Sequence, residues 1–236
     1  MIFQPHPTLI CAFSQRPRNM SFAYGDTARS LENRREFLAS LGIDYRNLVC
    51  AKQVHSNKVA YVCEKDRGKG ALSYDSAIAD TDALITDTKN NPLAIFTADS
   101  LSIFLYDAKT RSIGLVHAGW RSTKENIITK TLQLMQKKFR TSPKDLSAGF
   151  GPAIRDCCYE VGKEFQKFFT YGLKLQDARY YLDLVGINKK QLLGLGVAEA
   201  NINDSCACTY CQNDKLFSFR KEGDSCGRMM SVMMLK

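Results

Sequence analysis

Residues 93–123, LAIFTADSLSIFLYDAKTRSIGLVHAGWRST, limit the possible folds more than any other part of the chain. LAIFTA and SIGLVHA are too short for helices, rich in β-branched or aromatic residues, and bounded by turn residues. They read as buried strands, with a third apolar run, LSIFLYD, between them. Each outer strand ends in polar groups that a core does not accept unpaired: Thr97-Ala98-Asp99-Ser100 after the first, His117-Ala118-Gly119-Trp120-Arg121 after the second. The ends of buried strands are where α/β-type proteins build their sites. Ser122 and Glu125 have capping-box spacing, and Ile127, Ile128, Thr131, Leu132, Met135 and Phe139 keep a helical period. A helix is therefore predicted directly after the second strand, presenting His117, Arg121 and backbone N–H groups toward one place.

An apolar fraction of 44% and a charged fraction of 24% are those of a soluble globular protein. No run approaches the ~18 apolar residues of a membrane span, and no basic-then-apolar leader opens the chain, which predicts a cytoplasmic protein. No repeat or low-complexity linker divides the sequence, so residues 1–236 are expected to form a single domain. The nine cysteines are then expected to be reduced thiols, with Cys11, Cys50 and Cys63 inside apolar strand-like runs. The net charge of +9 favours anionic ligands. Its densest part, residues 121–144, reads as the solvated face of the predicted helix. No nucleic-acid signature accompanies it, so neither nucleic acid nor membrane is expected as a partner.

Elsewhere, a strand is predicted at Thr8–Phe13, followed by a loop carrying Arg16. Asp26 or Thr27 can cap a helix over Leu31–Leu41, which Gly42 stops. Strands at Leu48–Lys52 and Lys58–Glu64 flank Gln53-Val54-His55-Ser56-Asn57, where Ser-Asn turn chemistry predicts a hairpin with His55 at its tip. Asp80 and Asp82 fall on one face of an extended segment. Such a pair can serve acid–base work or a hard cation, but with no third acid nearby it reads as hydrogen-bonding loop residues. Further strands are predicted at Leu146–Phe150, Tyr180–Leu184, Phe217–Arg220 and Met229–Leu235, with helices over Gly162–Phe169 and Asn188–Leu195. The vicinal Cys157-Cys158 reads as packing. Cys206, Cys208, Cys211 and Cys226 can furnish four thiolates for a structural zinc, but their spacing is irregular beside paired C-x-x-C knuckles, and free cysteines in a loop are the preferred reading. These residues leave α/β and α+β both open.

The motifs KQVHSNKV, ADTDALIT, FTADSLSIFLYD, GLVHAGWRST, GPAIRDCCYEVG and LFSFRKEG…GR, in that order, resemble the YfiH-like family, which also carries laccase-like and polyphenol oxidase labels. The resemblance implies an α+β fold of mixed β-sheets packed face to face with helices outside, related to the cysteine-dependent deamidase toxins. It implies phosphorolysis of adenosine, inosine and methylthioadenosine, and deamination of adenosine, with nucleoside and phosphate as partners. The implied catalytic and metal-binding trio falls on His55, Ser100 and His117, with zinc as the cofactor and copper the alternative. Arg121 is the implied phosphate-binding residue, and Arg16 and Gln53 are secondary substrate-binding candidates. Imidazoles from two such positions can converge on zinc and leave a place for water or substrate. At the third position the family has cysteine and this chain has serine, whose neutral hydroxyl is a poor zinc ligand. Competing readings are a peptidoglycan-editing amidase, a copper-dependent phenol oxidase, for which three histidines are a short supply of ligands, and a degenerate member that binds without catalysis. No residue pattern specifies an oligomeric state.

Overall fold

The computed structural model describes residue 3 and residues 5–236. Two mixed sheets pack face to face with helices on their outer sides, an α+β architecture. The larger sheet has six strands in the order Ile202–Asp204, Leu146–Phe150, Leu101–Asp107, Ser112–Ala118, Ala83–Thr86 and Val59–Tyr61. Its four central strands are antiparallel, and both edge strands pair parallel. The smaller sheet runs Leu9–Phe13, Met229–Leu235, Leu93–Thr97 and Val49–Cys50, antiparallel except for the last pairing. Leu173–Gln176, Arg179–Leu182 and Glu160–Val161 make a small third sheet.

Strand alternation sets the layers. Leu101, Ile103 and Leu105 point to one core with Ile128, Leu132 and Met135 of helix Ile127–Phe139 and Ile187 of helix Leu184–Gly194. Phe104 and Tyr106, on the opposite face, meet Leu93, Ile95, Met233 and Leu235 between the two sheets. A further core under helix Thr27–Ala39 joins Leu38 to Ala94, Met230 and Val232. Each fully buried Leu, Ile or Val contributes about 1.5–3 kcal/mol relative to exposure, so these cores hold the strand frame and leave the strand ends for polar work.

The strands Leu146–Phe150 and Met229–Leu235 occupy their predicted bounds. Asp26 caps the first helix by accepting the N–H groups of Ala28 and Arg29. Four local readings change. Residues 53–57 do not close a hairpin: Val49–Cys50 belongs to the smaller sheet and Val59–Tyr61 to the larger, so the segment crosses from one to the other. Turn chemistry is local, but the choice of sheet partner is not. The helix after Ser112–Ala118 comes in two pieces, Trp120–Lys124 and Ile127–Phe139, separated by Asn126 at φ 58°. Gly119 caps the first piece and Ser122 lies inside it, its hydroxyl accepting the Gly119 N–H at 2.9 Å. Phe217–Arg220 is not a strand. Phe217 enters a small core with Leu216, Cys226 and Met229, and Phe219–Glu222 forms a helical turn. Finally, 162–169 holds a 3₁₀ turn, Lys163–Lys167, and the next helix begins at Leu184 because Asp183 caps it through the Gly186 N–H.

Candidate active site

His117 lies at the end of strand Ser112–Ala118, on the face that Ile113 and Leu115 turn toward the other sheet. Only 3% of it is exposed. Its Nδ1 lies 2.8 Å from Asp82 Oδ1, and its backbone N–H donates to the Asp82 carbonyl at 2.8 Å. The buried Asp82 carboxylate also accepts the backbone N–H groups of Val54, His55 and Ser56 and the Ser56 hydroxyl. The crossover segment is thus wrapped around one carboxylate, which is how His55 is held at φ 60°. Burial works against the charge on Asp82, but hydrogen bonds from His117 and Ser56 outweigh it and hold the carboxyl below its usual range. An ionised carboxylate only accepts, so Nδ1 of His117 donates to Asp82 and Nε2 is the nitrogen left to meet a ligand.

The His55 ring stands edge-on to that of His117, centroids 4.9 Å apart. Partial burial, the neighbouring His117 and the cations Arg121 and Arg228 push its pKa down to about 4, with Asp82 opposing. It is therefore a neutral imidazole near neutral pH. Ser100 closes the group through Gly119: a Cβ on that glycine would lie 3.1 Å from both His55 Nδ1 and Ser100 Oγ. With φ at −79°, Gly119 is needed for space rather than for backbone conformation. His55, Ser100 and His117, far apart in sequence, therefore line one cleft of about 490 Å³.

Two imidazoles, one oriented by a carboxylate, suit a zinc ion, whose ligating histidines commonly donate their second nitrogen to such a group. Ser100 brings a hydroxyl where a thiolate would complete the set. The donor set fits zinc, with a weak third ligand.

Arg121 lies exposed on the cleft wall, its guanidinium 4.3 Å over the Trp120 ring, and it makes no ion pair among the described residues. Gln53 also lines the cleft, but its amide is occupied, donating to the Phe96 carbonyl at 2.8 Å and accepting the Phe96 N–H at 2.7 Å. It extends the edge of strand Leu93–Thr97. Arg16 is not brought into the cleft: it pairs with Glu222 at 2.7 Å and stacks 4.8 Å over Phe217. A guanidinium so engaged braces the C-terminal segment. His6, the third histidine, contacts Thr8 and Tyr106 and does not line the cleft.

Sequence reasoning missed several residues. Asp82 was visible as one of two acids, but Asp80 is solvent-exposed and only Asp82 is buried. Arg220 and Arg228 line the cleft from within FSFRKEG…GR, Arg228 lying 3.9 Å over Tyr24. Tyr159, from CCYEVG, faces them with its phenol pushed up to about 12 by burial, hence neutral. The anchoring carboxylate of Asp99 accepts from the Thr209 hydroxyl and the Arg220 N–H, each at 2.6 Å. Cys206, Cys208, Cys211 and Cys226 do not gather into one set. Cys226 is buried beside Met229 and Cys206 turns out to solvent at φ 54°, whereas Cys157, Cys158, Cys208 and Cys211 come together.

The profile of the family described as multi-copper polyphenol oxidoreductase laccase matches residues 12–236. The purine nucleoside phosphorylase YlmD of Bacillus subtilis is 32% identical over 235 residues, covering 94% of this chain and 84% of that protein. The adenosine deaminase RL5 of an unknown prokaryotic organism is 31% identical over 220 residues, covering 89% and 84%. The crystal structure of YfiH from Bacillus licheniformis superposes with a TM-score of 0.92 at 28% identity, covering 97% of this chain and 93% of that one.

Proposed function

The chain belongs to the multi-copper polyphenol oxidoreductase laccase family, and from that premise we propose that it is a purine-nucleoside enzyme, phosphorolysing adenosine, inosine and methylthioadenosine and deaminating adenosine. The observation that carries this reading is the pairing of a carboxylate-oriented His117 with His55 in a cleft that also holds the unpaired Arg121. About 490 Å³ suits a nucleoside. The aromatic rings of Trp120, Tyr159 and Phe219 offer faces for a purine, and Arg121 offers phosphate a planar, bidentate partner.

In this reading His55 and His117, with Ser100 as a weak third donor, would hold zinc, which would supply Lewis-acid polarisation of substrate and water. Asp82 fixes the His117 tautomer so that Nε2 is the nitrogen that would be presented to the metal, and the carboxylate raises the basicity of that ligand. In phosphorolysis Arg121 holds the attacking phosphate while the purine departs from the ribose carbon. The low pKa of His55 keeps it a lone-pair donor across the neutral range. We place the reaction in the cytoplasm, on small molecules rather than nucleic acid or lipid. No helix among the described residues is long and apolar enough to cross a membrane.

A multi-copper centre finds few ligands here, because only two imidazoles reach the cleft. A cysteine-dependent amidase lacks its nucleophile at Ser100. The serine favours one second reading, a member that binds nucleosides with little turnover. Incubation with adenosine, with and without phosphate, separates these outcomes. Adenine with ribose-1-phosphate marks phosphorolysis and inosine marks deamination. Binding of adenosine without either product supports the second reading, and no binding overturns both.

A further inference from the structure

Outside the two histidines lies a group of side chains that the nucleoside reading leaves unused. Cys157, Cys158, Cys208 and Cys211 place their sulfur atoms within 4.8 Å of one another. The Cys157–Cys211 sulfur separation is 3.8 Å and the Cys158–Cys211 separation 3.3 Å. Four sulfurs at about 2.3 Å around a tetrahedral zinc stand about 3.8 Å apart, so the quartet needs only small side-chain adjustments to close on one ion. Two of the ligands have C-x-x-C spacing. The other two are delivered by the parallel contact of Ala153 with Cys208, in which the Thr209 N–H donates to the Ala153 carbonyl at 3.1 Å.

We propose that Cys157, Cys158, Cys208 and Cys211 form a tetrathiolate zinc site that fastens segment 153–159 to segment 206–212. The site is structural, since four protein ligands leave no open position. Its place in the fold gives it a purpose. Tyr159 follows the first pair directly, and Thr209, between the second pair, holds the Asp99 carboxylate beside Ser100. The ion would stiffen one wall of the cleft from behind. Binding replaces the thiol protons with the metal and releases them to solvent, with no change of oxidation state.

Because position 100 is serine, the histidine pair supplies no thiolate, so sulfur ligation reports the cysteine cluster alone. The His55→Ala/His117→Ala protein, purified with reductant and without chelator so that only the cysteine cluster can ligate, should retain about one zinc per chain with four sulfurs at about 2.3 Å in its X-ray absorption spectrum. Cobalt(II) in its place should show sulfur-to-metal charge-transfer bands. These should vanish in Cys208→Ser/Cys211→Ser and persist in His55→Ala/His117→Ala. A mixed nitrogen–oxygen shell, cobalt without charge transfer, or bands surviving the cysteine double substitution overturns the proposal. A Cys158–Cys211 disulfide in anaerobically purified protein overturns it as well. The sulfur shell of the histidine variant and the cobalt charge-transfer bands of the wild type decide the matter even where the cysteine variant does not fold.

Discussion

His117 Nδ1 and Asp82 Oδ1 stand 2.8 Å apart, and the backbone N–H of the same histidine reaches the aspartate's own carbonyl at the same distance. Main chain and side chain of one residue are thereby registered on one other residue. The imidazole has no freedom to present its other nitrogen.

Replacing Asp82 with Asn should therefore harm both chemistry and structure. The amide cannot enforce the His117 tautomer, and one of its ends donates where Val54, His55 and Ser56 also donate. Loss of an orienting carboxylate typically costs ten- to a hundredfold in activity or metal affinity, and an unsatisfied buried group about 1–3 kcal/mol. Turnover, zinc content and Tm measured on Asp82→Asn should all fall. An unchanged zinc content would detach Asp82 from the site.

His55 should titrate near pH 4, which proton NMR of the imidazole signals can read. The sign for stability follows from the unfolded value of about 6.5. As pH falls from about 6.5 toward 4 the unfolded chain takes up the proton first, so stability falls through that window. This contribution is intact above pH 6.5. His55→Gln should flatten the pH dependence of Tm in that window, and a His55 midpoint near 6.5 would contradict the crowded, cation-flanked environment.

Arg121→Ala should weaken phosphorolysis more than deamination, since only the first needs phosphate. A charge-assisted contact worth about 1.5–3 kcal/mol corresponds to about a ten- to hundredfold rise in the KM for phosphate. Equal loss of both activities would assign the arginine to the nucleoside instead.

Ser100→Cys should raise the zinc affinity of the histidine site and adenosine turnover at least about tenfold, or about 1.4 kcal/mol. The two residues differ by one atom, and the space bounded by Gly119 already lies between positions 100 and 55. Elemental analysis and product assays on the two proteins make the comparison. Equal values would mean that Ser100 is not the weak ligand of the site.

The strands that flank Ser100 and carry His117 were legible because polar residues interrupt strongly apolar runs, and burial of the apolar part leaves those residues at or beyond a strand end. Asp82 was not, since its role depends on three backbone donors that reach it only through a crossover between sheets. The hairpin expected around His55 failed for the same reason: Ser56-Asn57 satisfies turn chemistry, but strand partners are chosen by distant residues such as Ala83 and Leu93. The cysteine quartet mixes residues some fifty positions apart, joined by the contact of Ala153 with Cys208, so spacing along the chain could not single it out.

Both His55 and Ser100 lie on stretches where the chain passes from the smaller sheet to the larger, the first between Cys50 and Val59, the second between Thr97 and Leu101. His117 belongs to the larger sheet itself. A ligand bridging the three is thus a rivet through the sandwich, opposing any shear of one sheet over the other. Occupancy would then register as resistance of the whole protein to unfolding, growing with the logarithm of ligand concentration, and not only as order in the loops that touch the ligand.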